Sequence, residues 1–484
     1  MLLNDNLGKR SVRSVKWNLV SSAIEVLLIF VKQIILARLL PVATFGIYFG
    51  ASSVINIVLA LSSFGMGGAF LHRSKETDDI QQTAGIHFTL QLIFNIVWTV
   101  LMLSGIFIFT DPAEQDYRIA LFVITLTTTI SQLTVTHRLI LVRQVKHQRL
   151  AVLRIVRIVS IVITSAVVAI YGFNIYALLV DNILTALMNI IFFIIYHPVW
   201  KPRLVWSIQA FKYFINFGAR QVAGTWLFDA LQRIDKLWIM NFLGDTPLGY
   251  YSKAYSFAKF PNEFLGTSMD EVAVGTYAEL KYDREGISHA FTRANSVIIR
   301  AGFYIVGIMA LVAPEFIRIA LGIKWMPMLT TFRLLLPFTM FDPIKNTLSS
   351  IFIAVGKPEI IVNVRVAQLV VLAIGLFSLG NQFGIEGAAM AIDLMVIIGT
   401  FYMLHLARKY VDFSLKKLFA FPALGLFLGL AGGYLVMMLF PDLDVDVFTA
   451  MIKSILFTGL YGAVLFIFDR QEILAILKTI RKNF

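Results

Sequence analysis

From residue 18 to residue 468 the sequence consists of apolar runs separated by short polar turns. A bilayer core takes roughly 20 helical residues per crossing, and within it each backbone N–H and C=O must be satisfied by the segment itself. Runs of that length therefore predict helices. Fourteen are legible: 18–38, 45–68, 82–109, 119–137, 155–171, 175–196, 221–241, 248–272, 295–315, 328–354, 359–379, 385–407, 418–440 and 447–468. With 58% hydrophobic residues, the chain carries more apolar surface than a water-soluble core can hide. The expected fold class is an all-α integral membrane protein with about 14 transmembrane helices.

Charge sets the orientation. Lys9, Arg10, Arg13, Lys16, Arg73, Lys75, Arg138, Arg143, Lys146 and Arg149 share one side with Lys201, Arg203, Lys212, Lys281 and Arg284. Lys357, Arg408, Lys409, Lys416, Lys417, Arg470, Lys478, Arg481 and Lys482 fall on that same side. The opposite loops hold only Arg118, Arg318 and Lys324, with Arg38 at a span edge, and two of them are acidic, at 111–116 and 441–446. Lys and Arg accumulate on the cytoplasmic side, so both termini are expected in the cytoplasm, as an even helix count requires. The same bias accounts for the net charge of +13 without invoking nucleic acid. Basic residues precede the first span, but no small-residue cleavage site follows it, which predicts an uncleaved first helix.

The two halves repeat. Leu39-Leu40-Pro41-Val42-Ala43-Thr44-Phe45-Gly46-Ile47-Tyr48 matches Phe242-Leu243-Gly244-Asp245-Thr246-Pro247-Leu248-Gly249-Tyr250-Tyr251, pairing Gly46 with Gly249. The stretch Gly172 to Asp181 matches Gly384 to Asp393, pairing Asp181 with Asp393, while Lys146 pairs with Lys357 and Arg154 with Arg365. The repeating unit is six helices. An even number gives both copies the same direction, a parallel repeat about an axis along the membrane normal with a path between the lobes. The expected organisation is an N-terminal lobe at 1–196, a cytoplasmic amphipathic linker at 197–220 and a C-terminal lobe at 221–407. Helices 13–14 and a basic cytoplasmic tail fill 408–484 and look peripheral. Trp200, Trp206, Phe211 and Tyr213 suggest that the linker lies along the membrane surface.

Ionisable residues within apolar spans are costly and face a bundle interior or a water-filled cavity. On the seventh span Asp229, Arg233 and Lys236 fall at i, i+4 and i+7, one helical stripe, with Asp235 off it. An Asp229–Arg233 pair that locks packing is the plainer reading, but it has no need of Lys236. Other spans carry Glu25 and Lys32; Lys253, Lys259 and Glu263; Asp342 and Lys345; Arg365; Asp181; and Asp393. Cations in a partly dehydrated cavity suit an anionic group such as phosphate, and carboxylates there can bind H⁺ or Na⁺. Arg157, Arg300 and Arg333, near span ends, are expected to snorkel to the interface.

Enzyme signatures are absent from the sequence. It contains no Walker motif, no metal-ligand spacing and no G-x-S-x-G setting, and it has no cysteine, which excludes disulfides and thiolate metal sites. Neither a catalytic nor a metal-binding residue is expected, nor any cofactor beyond a coupling ion.

Leu36-Ala37-Arg38-Leu39-Leu40-Pro41-Val42-Ala43-Thr44-Phe45-Gly46-Ile47-Tyr48 is followed by Ser63-Phe64-Gly65-Met66-Gly67-Gly68-Ala69. Asp235-Lys236, Leu248-Gly249-Tyr250-Tyr251, Leu321-Gly322-Ile323-Lys324-Trp325-Met326-Pro327 and Gly384-Ile385-Glu386-Gly387-Ala388-Ala389 come later in the chain. In order and spacing these stretches resemble the polysaccharide-export, or oligosaccharide flippase, family of the MOP superfamily, which also holds MATE drug exporters and lipid II flippases. The resemblance runs from about residue 10 to the C-terminus.

That resemblance implies two six-helix lobes around a central cavity. It also implies alternating access, driven by an H⁺ or Na⁺ gradient, that moves an undecaprenyl-diphosphate-linked oligosaccharide (an O-antigen or exopolysaccharide repeat unit) across the bacterial cytoplasmic membrane. Arg233, Lys236, Lys259, Lys345, Lys32 and Arg365 would hold the diphosphate or anionic sugars. Asp229, Asp342, Asp181 and Asp393 are the ion-coupling candidates. The lipid-linked oligosaccharide and membrane lipid are the expected partners, with a polysaccharide polymerase or ligase as a further candidate. A MATE-like drug/ion antiporter is the alternative. A membrane glycosyltransferase ranks lower, because no outer loop is large enough for a sugar-handling domain.

Overall fold

The computed structural model describes residues 2–73, 80–144, 147–196, 200–439 and 445–474. Lys75, Lys146, the acidic 441–444 and Lys478, Arg481 and Lys482 lie outside the described residues, as do the side chains of Lys9, Arg10, Arg13, Lys16 and Glu263. Among the described residues all regular structure is helical. The chain divides into two compact units, Met1–Gly249 and Tyr250–Phe484.

The first unit holds α1 (Leu2–Leu39), α2 (Val42–Ser63), α3 (Met66–Arg73), α4 (Ile80–Phe109), α5 (Gln115–Gln132) and α6 (Val135–Arg143). It continues with α7 (His147–Ile170), α8 (Asn174–Ile190, prolonged by a wider turn at Ile191–Tyr196), α9 (Ile208–Leu231) and α10 (Ile234–Phe242). Lipid is as apolar as Leu, so helices in a bilayer associate through close packing and interhelical hydrogen bonds. Both are present around α4. Gln91 donates to the Ser62 carbonyl (3.2 Å), Trp98 Nε1 to the Val58 carbonyl (3.1 Å) and Asn95 to the Thr129 carbonyl (2.9 Å), tying α4 to α2 and α5. Ala51, Ile55, Trp98, Ile124 and Leu179 close this core.

Residues 200–207 precede α9 and are not helical. Trp200 is buried, with its ring 5.8 Å from Phe88 and 5.7 Å from His137, and the Val205 N–H donates to Thr89 Oγ1 (3.0 Å). This stretch is thus pinned to α4. Ser207 caps α9 by accepting from the Ala210 N–H, so the helix starts at Ile208, well before the expected 221.

The segment α11 (Asp245–Glu279) begins in the first unit and continues into the second. The second unit adds α12 (Arg284–Phe316), α13 (Leu329–Leu334), α14 (Leu336–Ala354), α15 (Glu359–Gly375), α16 (Asn381–Ala407), α17 (Leu415–Leu439) and α18 (Val447–Phe468). Gly384 bends α16 with φ 59° and ψ −132°, a backbone that side chains with a Cβ rarely adopt.

Helix occupies each of the fourteen expected segments, yet nine helices among the described residues are long and apolar enough to cross a membrane, or ten if the bent pair α5–α6 is one span. Three causes account for the difference. Several spans are broken, α9 from α10 at Arg233 and α13 from α14 at Leu335. The stretch Glu359–Ala407 counts as one. Polarity keeps α11 out of the count, since Tyr250, Tyr251, Ser252, Pro261 and Asn262 add to Lys253 and Lys259 in lowering its apolarity.

Two expectations about charge are corrected in the second unit. The last two helices both pack on α12, where Lys453 of α18 pairs with Glu315 and both side chains are only 1% exposed. Arg300 does not snorkel. Its guanidinium is buried against Asp469 (Nε–Oδ2 2.8 Å), and Tyr461 donates to the Arg300 carbonyl (2.8 Å). Arg333 turns inward as well, donating from Nε to the Ala310 carbonyl (3.0 Å). In each case a nearby acceptor satisfies the cation more cheaply than extension to the interface.

Candidate transport site

The first unit gathers charge along α1. Lys32 is buried and its ammonium lies 2.5 Å from Asp181 of α8. Beside it Tyr48 of α2 donates to Asn182 (3.1 Å). Two helical turns nearer the N-terminus, Glu25 lies 3.3 Å from Arg154 and 3.1 Å from Arg157, both on α7. Arg157 therefore does not snorkel either; the carboxylate on the neighbouring helix holds it in the bundle.

The seventh span departs from the expected stripe. The α9 helix ends at Leu231, Arg233 has φ −137° and ψ −19°, and α10 begins at Ile234. Helical spacing cannot be carried across that break, so Asp229 and Lys236 do not share a continuous face. Asp235, expected off the stripe, is fully buried, and Lys236 pairs with it at 3.6 Å and donates to the Gln232 carbonyl (2.9 Å). Asp229 and Arg233 are half-buried. Sequence alone gave little warning, because neither Gly nor Pro marks the break.

A reciprocal glycine contact joins α2 to the corner between α10 and α11. A Cβ on Gly46 would overlap the Asp245 carbonyl oxygen, and one on Gly249 would overlap that of Val42. Val42 lies four residues before Gly46, and Asp245 four before Gly249. The two glycines matched by the repeat thus use the same contact in opposite directions, and only Gly allows backbones this close.

In the second unit α14 carries the densest charge. Asp342 is buried, lies 2.5 Å from Lys345 and accepts from Asn262 of α11 (2.6 Å), with Lys259 near enough to act on it electrostatically. Three of the predicted residues, Lys259, Asp342 and Lys345, are brought together here. Asp393, on α16, is buried and accepts from the Phe338 N–H in the first turn of α14, where helix N–H groups have no partner in their own helix. No ion pair to Asp393 occurs among the described residues. Its repeat counterpart Asp181 is held by Lys32, so equivalent carboxylates have different environments. Arg365 is half-buried on α15.

The sequence reading passed over Arg138, Arg154 and Arg157 as site residues. Their signal was present as arginines at the expected cytoplasmic ends of the fourth and fifth spans. One cavity, of about 570 Å³, opens by the α4–α5 turn and is lined by Met102, Ile106, Asp111, Glu114, Tyr117 and Asn241; it holds none of the predicted site residues.

Long apolar helices with ionic side chains paired inside their bundles define a multi-pass helical membrane protein. The chain belongs to the family described as polysaccharide biosynthesis protein, whose family model matches residues 35–330. It is 20% identical over 405 residues to the lipopolysaccharide biosynthesis protein WzxC of Escherichia coli K12, covering 82% of this chain and 80% of that one. It is 24% identical over 337 residues to the succinoglycan biosynthesis transport protein ExoT of Rhizobium meliloti 1021, covering 66% and 64%. Its fold is similar to that of the lipid II flippase MurJ in an inward closed conformation, with a TM-score of 0.75, 15% identity, and coverage of 94% of this chain and 99% of that one.

Proposed function

We propose that this protein is a flippase that moves an undecaprenyl-diphosphate-linked oligosaccharide, an O-antigen or exopolysaccharide repeat unit, across the bacterial cytoplasmic membrane by alternating access. The observation that carries the reading is membership of the polysaccharide biosynthesis family by a chain whose interior helices hold ionic groups of both signs. Such groups are expensive in a bilayer and are kept where an ionic substrate or coupling ion passes. The relatives named for transport in succinoglycan biosynthesis and for flipping lipid II support it.

In this reading both termini are cytoplasmic. Asp393 is the foremost coupling carboxylate, because it is buried without a basic partner among the described residues and so is free to exchange H⁺ or Na⁺. Lys259, Lys345, Arg233, Lys236, Lys32 and Arg365 serve the anionic substrate. A polymerase or ligase that receives the outer-leaflet product is a natural partner.

Complementation tests the proposal. A strain lacking the gene should accumulate lipid-linked glycan and lose surface glycan, and the wild-type gene should restore export. The Arg233→Ala variant should reach the membrane and fail to restore it. The Asp393→Asn variant should export without its normal dependence on the ion gradient, or not at all. Unchanged surface glycan with reduced cationic drug efflux in the deletion strain would instead favour the antiporter.

A further inference from the structure

Two arginines and one glutamate meet in the first unit, with a third arginine within electrostatic range, and among the described residues their charges do not cancel. On α7, Arg154 and Arg157 are three residues apart and therefore neighbours on one face. On α1, Ser21, Ser22 and Glu25 likewise share a face. Glu25 reaches both arginines, at 3.3 Å and 3.1 Å, and Arg154 also donates to Ser22, with Ser21 at 3.5 Å. Arg138, on α6, lies within the repulsive field of both Arg157 and Arg154. It is exposed, and no carboxylate pairs with it among the described residues. Among the described residues, Glu25 alone offsets Arg154 and Arg157, and Arg138 adds a third positive charge within range of both.

Orientation and access point the same way. Val152, Val156, Val159 and Ile163 form the exposed apolar stripe of α7. At about 100° per residue, Arg154 and Arg157 lie on the opposite side of the helix, away from that lipid-facing stripe. Their side chains keep 28% and 26% exposure and Glu25 keeps 22%, so the cluster is enclosed but open to a ligand. A pair that served only packing would need one arginine. The second and third raise repulsion inside an apolar bundle and gain nothing there unless an anion arrives.

We infer that Arg138, Arg154 and Arg157 form an anion site for the diphosphate of a lipid carrier, with Glu25 occupying the guanidinium forks until the ligand displaces it. This rests on the flippase reading for the source of the ligand. Guanidinium forks match phosphate oxygens in pairs, and the surplus of two positive charges suits a diphosphate. Arg154 and Arg157 stand about 10 and 15 Å along α7 from its first residue. On the orientation proposed above, that is the cytoplasmic part of the bundle, where a newly made headgroup enters.

The test uses the full-length protein in nanodiscs, with farnesyl diphosphate as the lipid diphosphate, inorganic diphosphate as the soluble anion and farnesol as the uncharged control. Farnesyl diphosphate should bind and farnesol should not compete. The R154Q/R157Q variant should lose about tenfold or more in affinity, as expected for removing two charge-assisted contacts. R138Q, which removes no ion pair, should fold normally and still bind more weakly. R154K/R157K should recover part of the loss. E25Q should bind more tightly than wild type, because the competing carboxylate is gone; a purely structural Glu25 would give no gain. Equal binding by wild type, R154Q/R157Q and R138Q would overturn the site, as would weaker binding by E25Q. Inorganic diphosphate competing as well as farnesyl diphosphate would overturn the lipid source in favour of a soluble anion. Export is scored separately. Protein that binds through the cluster but never restores surface glycan sinks the flippase reading alone. Full export by cluster variants that also bind normally sinks the site alone.

Discussion

Replacing Lys453 with Met should destabilise the second unit severely. Met keeps the length of the side chain and removes its charge, so packing changes little while Glu315 loses its cation. The pair is shut off from solvent, at 1% exposure on each side, and Glu315 Oε2 has no hydrogen-bond partner to take up the loss. Removing one partner of a buried pair costs about 3–5 kcal/mol, because the remaining charge is stranded. At about 1.4 kcal/mol per factor of ten, that is a hundredfold or more in the folded-to-unfolded ratio. Removing both charges leaves nothing stranded, and such replacements are often neutral or stabilising. Thermal unfolding of purified protein in one detergent should therefore rank wild type and E315M/K453M together, with K453M well below. If K453M melts with the wild type, or the double variant melts as low as K453M, the pair does not clamp α18 to α12.

Three further outcomes follow from other contacts. Alanine at Gly46 or Gly249 sets a methyl against a backbone carbonyl and should lower both the melting temperature and export, whereas Gly50→Ala meets only the flexible Met240 side chain and should be tolerated; paired melting and surface-glycan measurements check this. Arg300→Met should strand Asp469 and cost melting temperature, which R300M/D469N should recover. Asp412, between α16 and α17, accepts hydrogen bonds from Arg284 that hold its carboxyl below the usual range. The small stability it supplies is present above about pH 3.9, the unfolded aspartate value, and is lost as pH falls through the lowered folded value. D412N should flatten that acid limb, and salt should do the same, in melting curves taken from pH 5 downward.

Where helices lie was legible because a bilayer imposes length and apolarity on each crossing. The fourteenth span, expected at 447–468, coincides with α18 (Val447–Phe468), and the thirteenth, expected at 418–440, is α17 (Leu415–Leu439). Breaks inside spans were less legible. The break at Arg233 has no Gly or Pro to announce it, and its consequence was a charge stripe that does not exist. Partners were least legible of all. Lys453 and Glu315 are 138 residues apart in sequence and Arg300 and Asp469 are 169 apart, and one sequence cannot show that they meet. The same blindness made Arg157 look like an interfacial anchor, since its defining contact, Glu25, lies on a helix 132 residues away.

Flipping itself is the central claim, and the most direct measurement of it uses purified protein in proteoliposomes loaded with an undecaprenyl-diphosphate-linked oligosaccharide. An impermeant glycan-cleaving enzyme added outside digests only the outward-facing half at first. The account predicts that an imposed ion gradient drives the protected half into reach when the wild-type protein is present, and not in empty vesicles or with Arg233→Ala. Protection that stays at one half with active, correctly folded protein under either an H⁺ or a Na⁺ gradient would contradict it.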